Sequence, residues 1–252
     1  MALVILTACT SKEPRPTTAP GAPPAPAAQG TVSPMSSSTV MPAQESASAA
    51  AHGLLAVDNL CVTSGTATAE PGSTFLIASP TFRAVSRFAW GDDARLAFTY
   101  RGETDETRAL GSGAVRRQIG LKLRAQDPCN LVYVMWRFSP TNDIVVSLKE
   151  NPGQSTSHEC GNRGYTNLTP AARTAPPAID VRSAHVLEAT IGGNRLDVRI
   201  DSVVVWSGDL PAAALALRGP AGVRSDNVRA SCGFSTSQRG ADIPCPTGAS
   251  PD

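Results

Sequence analysis

A catalytic centre in this chain would have to come from a small stock of reactive side chains, and their spacing argues against most chemistries. Hydrolysis of a glycoside needs two carboxylates flanking one bond. Glu188 stands alone in its segment, while Asp197 and Asp201 fall on what reads as a solvated strand face. His158-Glu159-Cys160 sets a thiol near an imidazole, the pair used in nucleophilic catalysis, but the triplet matches no catalytic signature, and Cys160 is better employed in a disulfide. Gly111-Ser112-Gly113 lacks the Gly-x-Ser-x-Gly spacing of a nucleophile elbow. No two cysteines have the close spacing of zinc ligands. Asp92-Asp93 and Asp226-Asn227 carry oxygen donors of the kind calcium takes. Each pair supplies too few ligands alone, and such turns commonly bond their own backbone. These residues lean against an enzyme and point to no cofactor, with calcium at Asp92, Asp93, Asp226 and Asn227 as the metal option.

Binding is better provided for. The polar stretch 151–177 includes Asn162, Arg163, Tyr165 and Asn167. A loop longer than about 12–15 residues in a compact domain is usually functional or disordered. A tyrosine ring, amides and a guanidinium could meet a sugar by stacking and hydrogen bonding, so Asn162, Arg163 and Tyr165 are ligand candidates; a plain surface loop stapled by Cys160 is the competing account. Of the three tryptophans, all more often core than platform, Trp136 is the safest core residue. Trp206, beside a turn, is the best candidate for exposure and the fourth ligand candidate.

The elements that must carry these residues are strands. Leu96, Phe98 and Tyr100 alternate with Arg95, Thr99 and Arg101, and Ile119, Leu121 and Leu123 with Gln118, Lys122 and Arg124, which predicts strands with one dry face. Residues 131–138 form a nearly continuous apolar run suited to a central strand, and 144–149 follow after a turn at Pro140-Thr141-Asn142. Residues 189–191, a Gly192-Gly193-Asn194 turn and the alternating 195–201 predict a hairpin. Residues 203–206 come after it, and Val228, Ala230, Cys232 and Phe234 close the series. Residues 211–217, rich in alanine, predict the one short helix. Many short strands between turns indicate an antiparallel sandwich or barrel.

The 252 residues are 41% hydrophobic but 5% aromatic, with a net charge of +1. That balance argues against a nucleic-acid partner, whose footprint is strongly basic, and no apolar run reaches the roughly 20 residues that span a bilayer. The average conceals a division. All aromatic residues lie at Phe75 or later, and residues 10–52 are dominated by Pro, Ala, Ser and Thr, a composition expected to form a disordered, semi-rigid linker. Residues 1–9 end in Leu6-Thr7-Ala8-Cys9, which resembles the lipobox of bacterial lipoproteins. That resemblance implies lipidation at Cys9, a membrane partner through the lipid and a place in the bacterial cell envelope. Thr10 rather than Asp after the cysteine points to the outer membrane or cell surface. No Lys or Arg precedes Lys12, so the charged start of such a signal is expected upstream of Met1.

Residues 196–208 with Trp206 and Gly208, the Gly219-Pro220-Ala221-Gly222 return and Asp226-Asn227 before a last strand resemble the end of concanavalin A-like lectin/glucanase domains, the laminin G-like jelly rolls. The resemblance implies an all-β antiparallel jelly-roll sandwich over 53–236 and a flexible tail over 237–252. It implies in turn a glycan or envelope-protein ligand, and often a calcium ion. The Glu-x-Asp-x-Glu strand of its glucanase members is missing, so a non-catalytic binding domain is expected. A degenerate or unusual glycosidase, using Glu188 or an acid the sequence does not single out, and a purely structural envelope lipoprotein are the alternatives. In an exported chain cysteines default to disulfides. Cys129 with Cys160 would tie the long loop to the sheet. Cys61 with Cys232, on first and last strands that neighbour each other in many jelly rolls, is the second expected pair, leaving Cys245 free.

Overall fold

The computed structural model describes residues 53–88, 90–236 and 242–245. Cys9, the 10–52 linker and most of the 237–252 tail lie outside the described residues. Strands β1 (Leu60–Ser64), β2 (Ala67–Glu70), β3 (Thr74–Ile77) and β4 (Thr81–Ser86) precede two long ones, β5 (Asp93–Glu103) and β6 (Arg117–Asp127). Then come β7 (Asn130–Ser139), β8 (Asp143–Lys149), the helical turn α1 (Ser157–Cys160), β9 (Tyr165–Asn167) and β10 (Ala172–Arg173). The chain continues through β11 (Ala184–Gly192), β12 (Arg195–Ile200), β13 (Val203–Asp209), α2 (Ala212–Ala216), β14 (Gly222–Asp226) and β15 (Val228–Ser235).

The strands form two antiparallel sheets, a seven-stranded one in the order β1-β4-β14-β6-β7-β8-β9 and an eight-stranded one in the order β10-β13-β12-β11-β5-β15-β3-β2. They make the expected all-β jelly-roll sandwich. Alternation decides what lies between them. Ile119, Leu121 and Leu123 from β6, Val132, Val134 and Trp136 from β7, and Leu196, Val198 and Ile200 from β12 are all buried in one core, where Phe98 meets Trp136 edge-on at 5.7 Å. Burial of this apolar area at roughly 25 cal/mol per Å² is the main term holding the sheets together. The chain changes sheets between β14 and β15 through one residue, Asn227, at φ 55°. A short amide side chain tolerates that conformation better than most.

Trp206, expected at the surface, is 1% exposed. Val198 pairs with Trp206 but Arg199 with Val204, so Val205 is an extra residue, and this bulge changes the phase of the strand. Trp206 enters the core, flanked on its other edge by Arg173 of β10. Trp136 is buried as expected, whereas Trp90 lies outside the strands and is 48% exposed.

Cys129 and Cys160 are bonded. The second expected pair is wrong: Cys61 bonds Cys245, and Cys232 is a buried free thiol. β1 and β15 belong to different sheets, and Cys232 faces the core while Cys61 lies in a separate apolar cluster. Burial raises the Cys232 pKa far above the ordinary thiol value. Residues 242–245, placed by the sequence in a flexible tail, return to the domain through this disulfide and the Arg87–Asp242 ion pair at 3.0 Å.

Candidate functional site

The alternation that fills the core turns the other half of each strand of the seven-stranded sheet outward, and there charged and polar residues collect beside a small apolar cluster. β6 presents Gln118, Gly120 and Lys122, β7 presents Tyr133, Met135 and Arg137, and β14 presents Gly222, Arg224 and Asp226. Register brings them together: Arg224 lies opposite Arg83 and Gly120, and Asp226 opposite Gln118. A Cβ at Gly120 would meet the Val134 carbonyl at 2.1 Å and the Met135 sulfur at 2.9 Å, so β6 and β7 pair this closely only around glycine.

One buried carboxylate anchors the cluster. Asp226 accepts from Arg83 Nη2 at 2.5 Å, Gln118 Nε2 at 2.6 Å and Arg224 Nε at 3.0 Å. Burial opposes its ionisation, but the Arg224 and Arg83 charges hold its pKa below the usual carboxylate range. For Arg224 burial is likewise outweighed, by Asp226 above all, and its pKa is raised. Among the described residues Lys122 forms no ion pair. Burial, with Arg83 and Arg224 nearby, pushes its pKa well below the ordinary lysine value.

An aromatic ladder crosses the face. The Arg224 guanidinium lies 4.8 Å from the Tyr133 ring centroid, Tyr133 stacks on Tyr165 at 5.9 Å with 21° between the planes, and Lys149 Nζ lies 5.2 Å from the Tyr165 centroid. Burial pushes the Tyr133 phenol up to about 12, so it is a neutral hydrogen-bonding group near pH 7.

Two loops raise walls above this floor and enclose a cleft of about 290 Å³. Leu110 and Ser112 come from the β5–β6 connection, and Asn162, Tyr165 and Asn167 from the far side. The walls nearly touch, since a Cβ on Gly111 would sit 3.2 Å from that of Asn162. Each is braced. Asn227 bonds the Arg108 amide at 2.7 Å and the Arg108 and Arg116 carbonyls at 2.8 and 2.9 Å, fixing the first. The Cys129–Cys160 disulfide and a capping box between Thr156 and Glu159 fix the second. Lys149 Nζ holds the Gly161 carbonyl at 2.8 Å and the Pro128 carbonyl at 3.0 Å. Gly164, at φ 77°, passes where a Cβ would strike the Glu150 carbonyl at 2.3 Å.

Of the four ligand candidates, Asn162 and Tyr165 line the cleft. Arg163 does not, because its guanidinium folds back onto the Glu159 and Cys160 carbonyls. Trp206 is in the core. The floor residues Gln118, Tyr133, Arg137 and Arg224 were not among the sequence candidates: Gln118 read as the wet side of a strand, Tyr133 and Arg137 fell inside the apolar run 131–138, and Arg224 lay in the return that follows Gly219. Arg-x-Asp in β14 beside a Gln-x-Gly-x-Lys strand was the available signal.

The calcium candidates do not converge. Asp226 and Asn227 are engaged as described, Asp92 is paired with Arg124, and Asp93 receives Thr236 Oγ1 at 3.4 Å. Among the described residues no group of three or more His, Cys, Asp or Glu is arranged to hold a metal. Glu188 pairs with Arg95 at 3.1 Å on the outer face of the other sheet. Asp197 and Asp201 are engaged rather than merely solvated, by Ser207 and by His185. Cys160 is consumed by its disulfide and is no nucleophile.

No protein-family model matches this sequence, and no curated protein matches it. Solved structures with a similar fold include a carbohydrate binding module from Bacillus subtilis, at 15% identity, covering 71% of this chain and 96% of that one with a TM-score of 0.48. A galectin from Caenorhabditis elegans is 13% identical over 72% of this chain and 99% of its own, at a TM-score of 0.36. A domain of an extracellular arabinanase from Geobacillus stearothermophilus, in complex with arabinotriose, is 10% identical over 73% and 92%, at 0.41.

Proposed function

We propose that this chain is a non-catalytic glycan-binding domain whose ligand lies in the cleft over the seven-stranded sheet. The observation that carries the reading is the Tyr133–Tyr165 stack set in a floor of amides and guanidiniums. Tyr165 is 39% exposed yet held by Tyr133 and Lys149, so a ligand meets an aromatic group that has little conformational freedom left to lose. Amide and guanidinium donors suit hydroxyl-rich ligands. None of the residues lining the cleft is Asp or Glu, which favours binding over acid–base hydrolysis. Titration of a glycan panel into the full chain by calorimetry should give binding that Tyr165→Ala weakens at least tenfold. Binding unaffected by Tyr165→Ala, or release of reducing sugar, would overturn the reading. Capture of an envelope protein with silence across the panel would favour the structural alternative.

The domain is further proposed to be displayed from the cell envelope, at the outer membrane or cell surface, by a lipid on Cys9 with 10–52 as spacer. The support is the Leu6-Thr7-Ala8-Cys9 pattern and the linker composition. Cys9→Ala should abolish fatty-acid labelling and move the protein to the soluble fraction; unchanged fractionation removes the anchor.

A further inference from the structure

Three features of the cleft are left unanswered by the protein. Arg116 and Arg137 both line it, and among the described residues neither guanidinium has an ion pair. Asp143, the carboxylate nearest in charge to Arg137, is taken by Arg173. Arg137 Nε is buried without a hydrogen-bond partner. So is Gln118 Oε1, on a side chain only 2% exposed whose Nε2 is already committed to Asp226. An unmade buried hydrogen bond costs about 1–3 kcal/mol, which a suitable ligand would recover.

The two orphans ask for opposite things. Arg137 Nε needs an acceptor, and Gln118 Oε1 needs a donor. Their surroundings are cationic, with Arg83 and Arg224 nearby and Asp226 as the buried counterion, while burial holds the pKa values of Lys122 and Lys149 below the ordinary lysine value. Asp226 is already shared by two arginines. A neutral sugar would answer Gln118 but leave the charge uncompensated. A bare inorganic anion would do the reverse.

We infer that the ligand is an acidic saccharide, its carboxylate or sulfate held by Arg116 and Arg137 while a ring hydroxyl donates to Gln118 Oε1. This inference rests on the glycan-binding reading and narrows it to one substrate class. Guanidinium–carboxylate bonds are charge-assisted and readily bidentate, so Arg116 and Arg137 select for charge, and Tyr165 contributes to any sugar.

The test pairs ligands that differ in charge alone. Oligogalacturonate and its methyl ester, lactose 3′-sulfate and lactose, and sodium sulfate are titrated into the full chain at low salt. At least one acidic member should bind roughly 10- to 100-fold more tightly than its neutral partner, the worth of one or two ionised hydrogen bonds. That preference should shrink as salt rises. Arg116→Gln, at a partly exposed position, should erase most of the preference, bringing the acidic and neutral members of each pair close to equal affinity. Tyr165→Ala should weaken both. Equal affinity for the members of each pair overturns the acidic ligand but leaves the glycan domain standing. Sulfate binding as tightly as the sugars reduces the site to an anion site and overturns the inference too. Silence across the panel, neutral and acidic, overturns the inference and the reading beneath it.

Discussion

Replacing Asp226 by asparagine removes the one buried negative charge under the cleft while keeping its shape. Arg83 and Arg224 would then face each other, with Lys122 close by, having lost the carboxylate both bond at 2.5 and 3.0 Å. Removing one partner of a buried ion pair costs about 3–5 kcal/mol, because the remaining charge is left desolvated and unpaired. For a domain of this size each kcal/mol lowers Tm by about 2–4 °C, so Asp226→Asn should melt about 6–20 °C below the parent. Thermal and urea denaturation followed by circular dichroism measure it. The double variant Asp226→Asn/Arg224→Met should be more stable than the sum of its singles by at least about 1 kcal/mol, the signature of coupled neighbours. A loss under about 1 kcal/mol for Asp226→Asn, with an additive double variant, would refute the view that this carboxylate holds the cluster.

The other expectations follow from the same geometry. Lys122→Met removes a buried cation whose pKa is already far depressed, and should raise stability by about 1–4 kcal/mol; a lower Tm would show that Lys122 has a stabilising partner. Cys129→Ala/Cys160→Ala opens a loop of 31 residues and should cost about 4 kcal/mol, read by urea unfolding against the untreated parent. The Asp226 pKa is depressed by its arginines despite burial, and the Asp197 pKa by Ser207 first. Both therefore contribute stability that is present above the unfolded value of about 3.9 and is lost as pH falls through their lower folded values. Urea midpoints below pH 4 should fall less steeply in Asp226→Asn than in the parent, and an equal slope would remove Asp226 from the acid limb.

Local periodicity determined a good deal of this protein. Period-two runs at 94–101, 118–124 and 195–200 set which side chains enter the core, and Gly192-Gly193 set a tight turn; strands form on those terms wherever they find partners. The Cys129–Cys160 bond was also legible, because both residues border one long loop. Legibility ended at relations between distant segments. Trp206 was misread because a single extra residue, Val205, reverses the phase of its strand. Cys61 was mispaired because sequence order does not reveal that β1 and β15 belong to opposite sheets. The cleft was hidden for the same reason. Gln118 looks like the wet half of an ordinary strand, Arg137 sits in an apolar run, and Arg83, Arg224 and Asp226 lie far from both in sequence. Only strand order and register bring them onto one face, and only two braced loops dry that face enough to make its charges matter. The sequence alone set how each strand divides its residues between two sides; the tertiary structure decided that one outward side becomes a site, because burial and counterion pairing are properties of the assembled sheet.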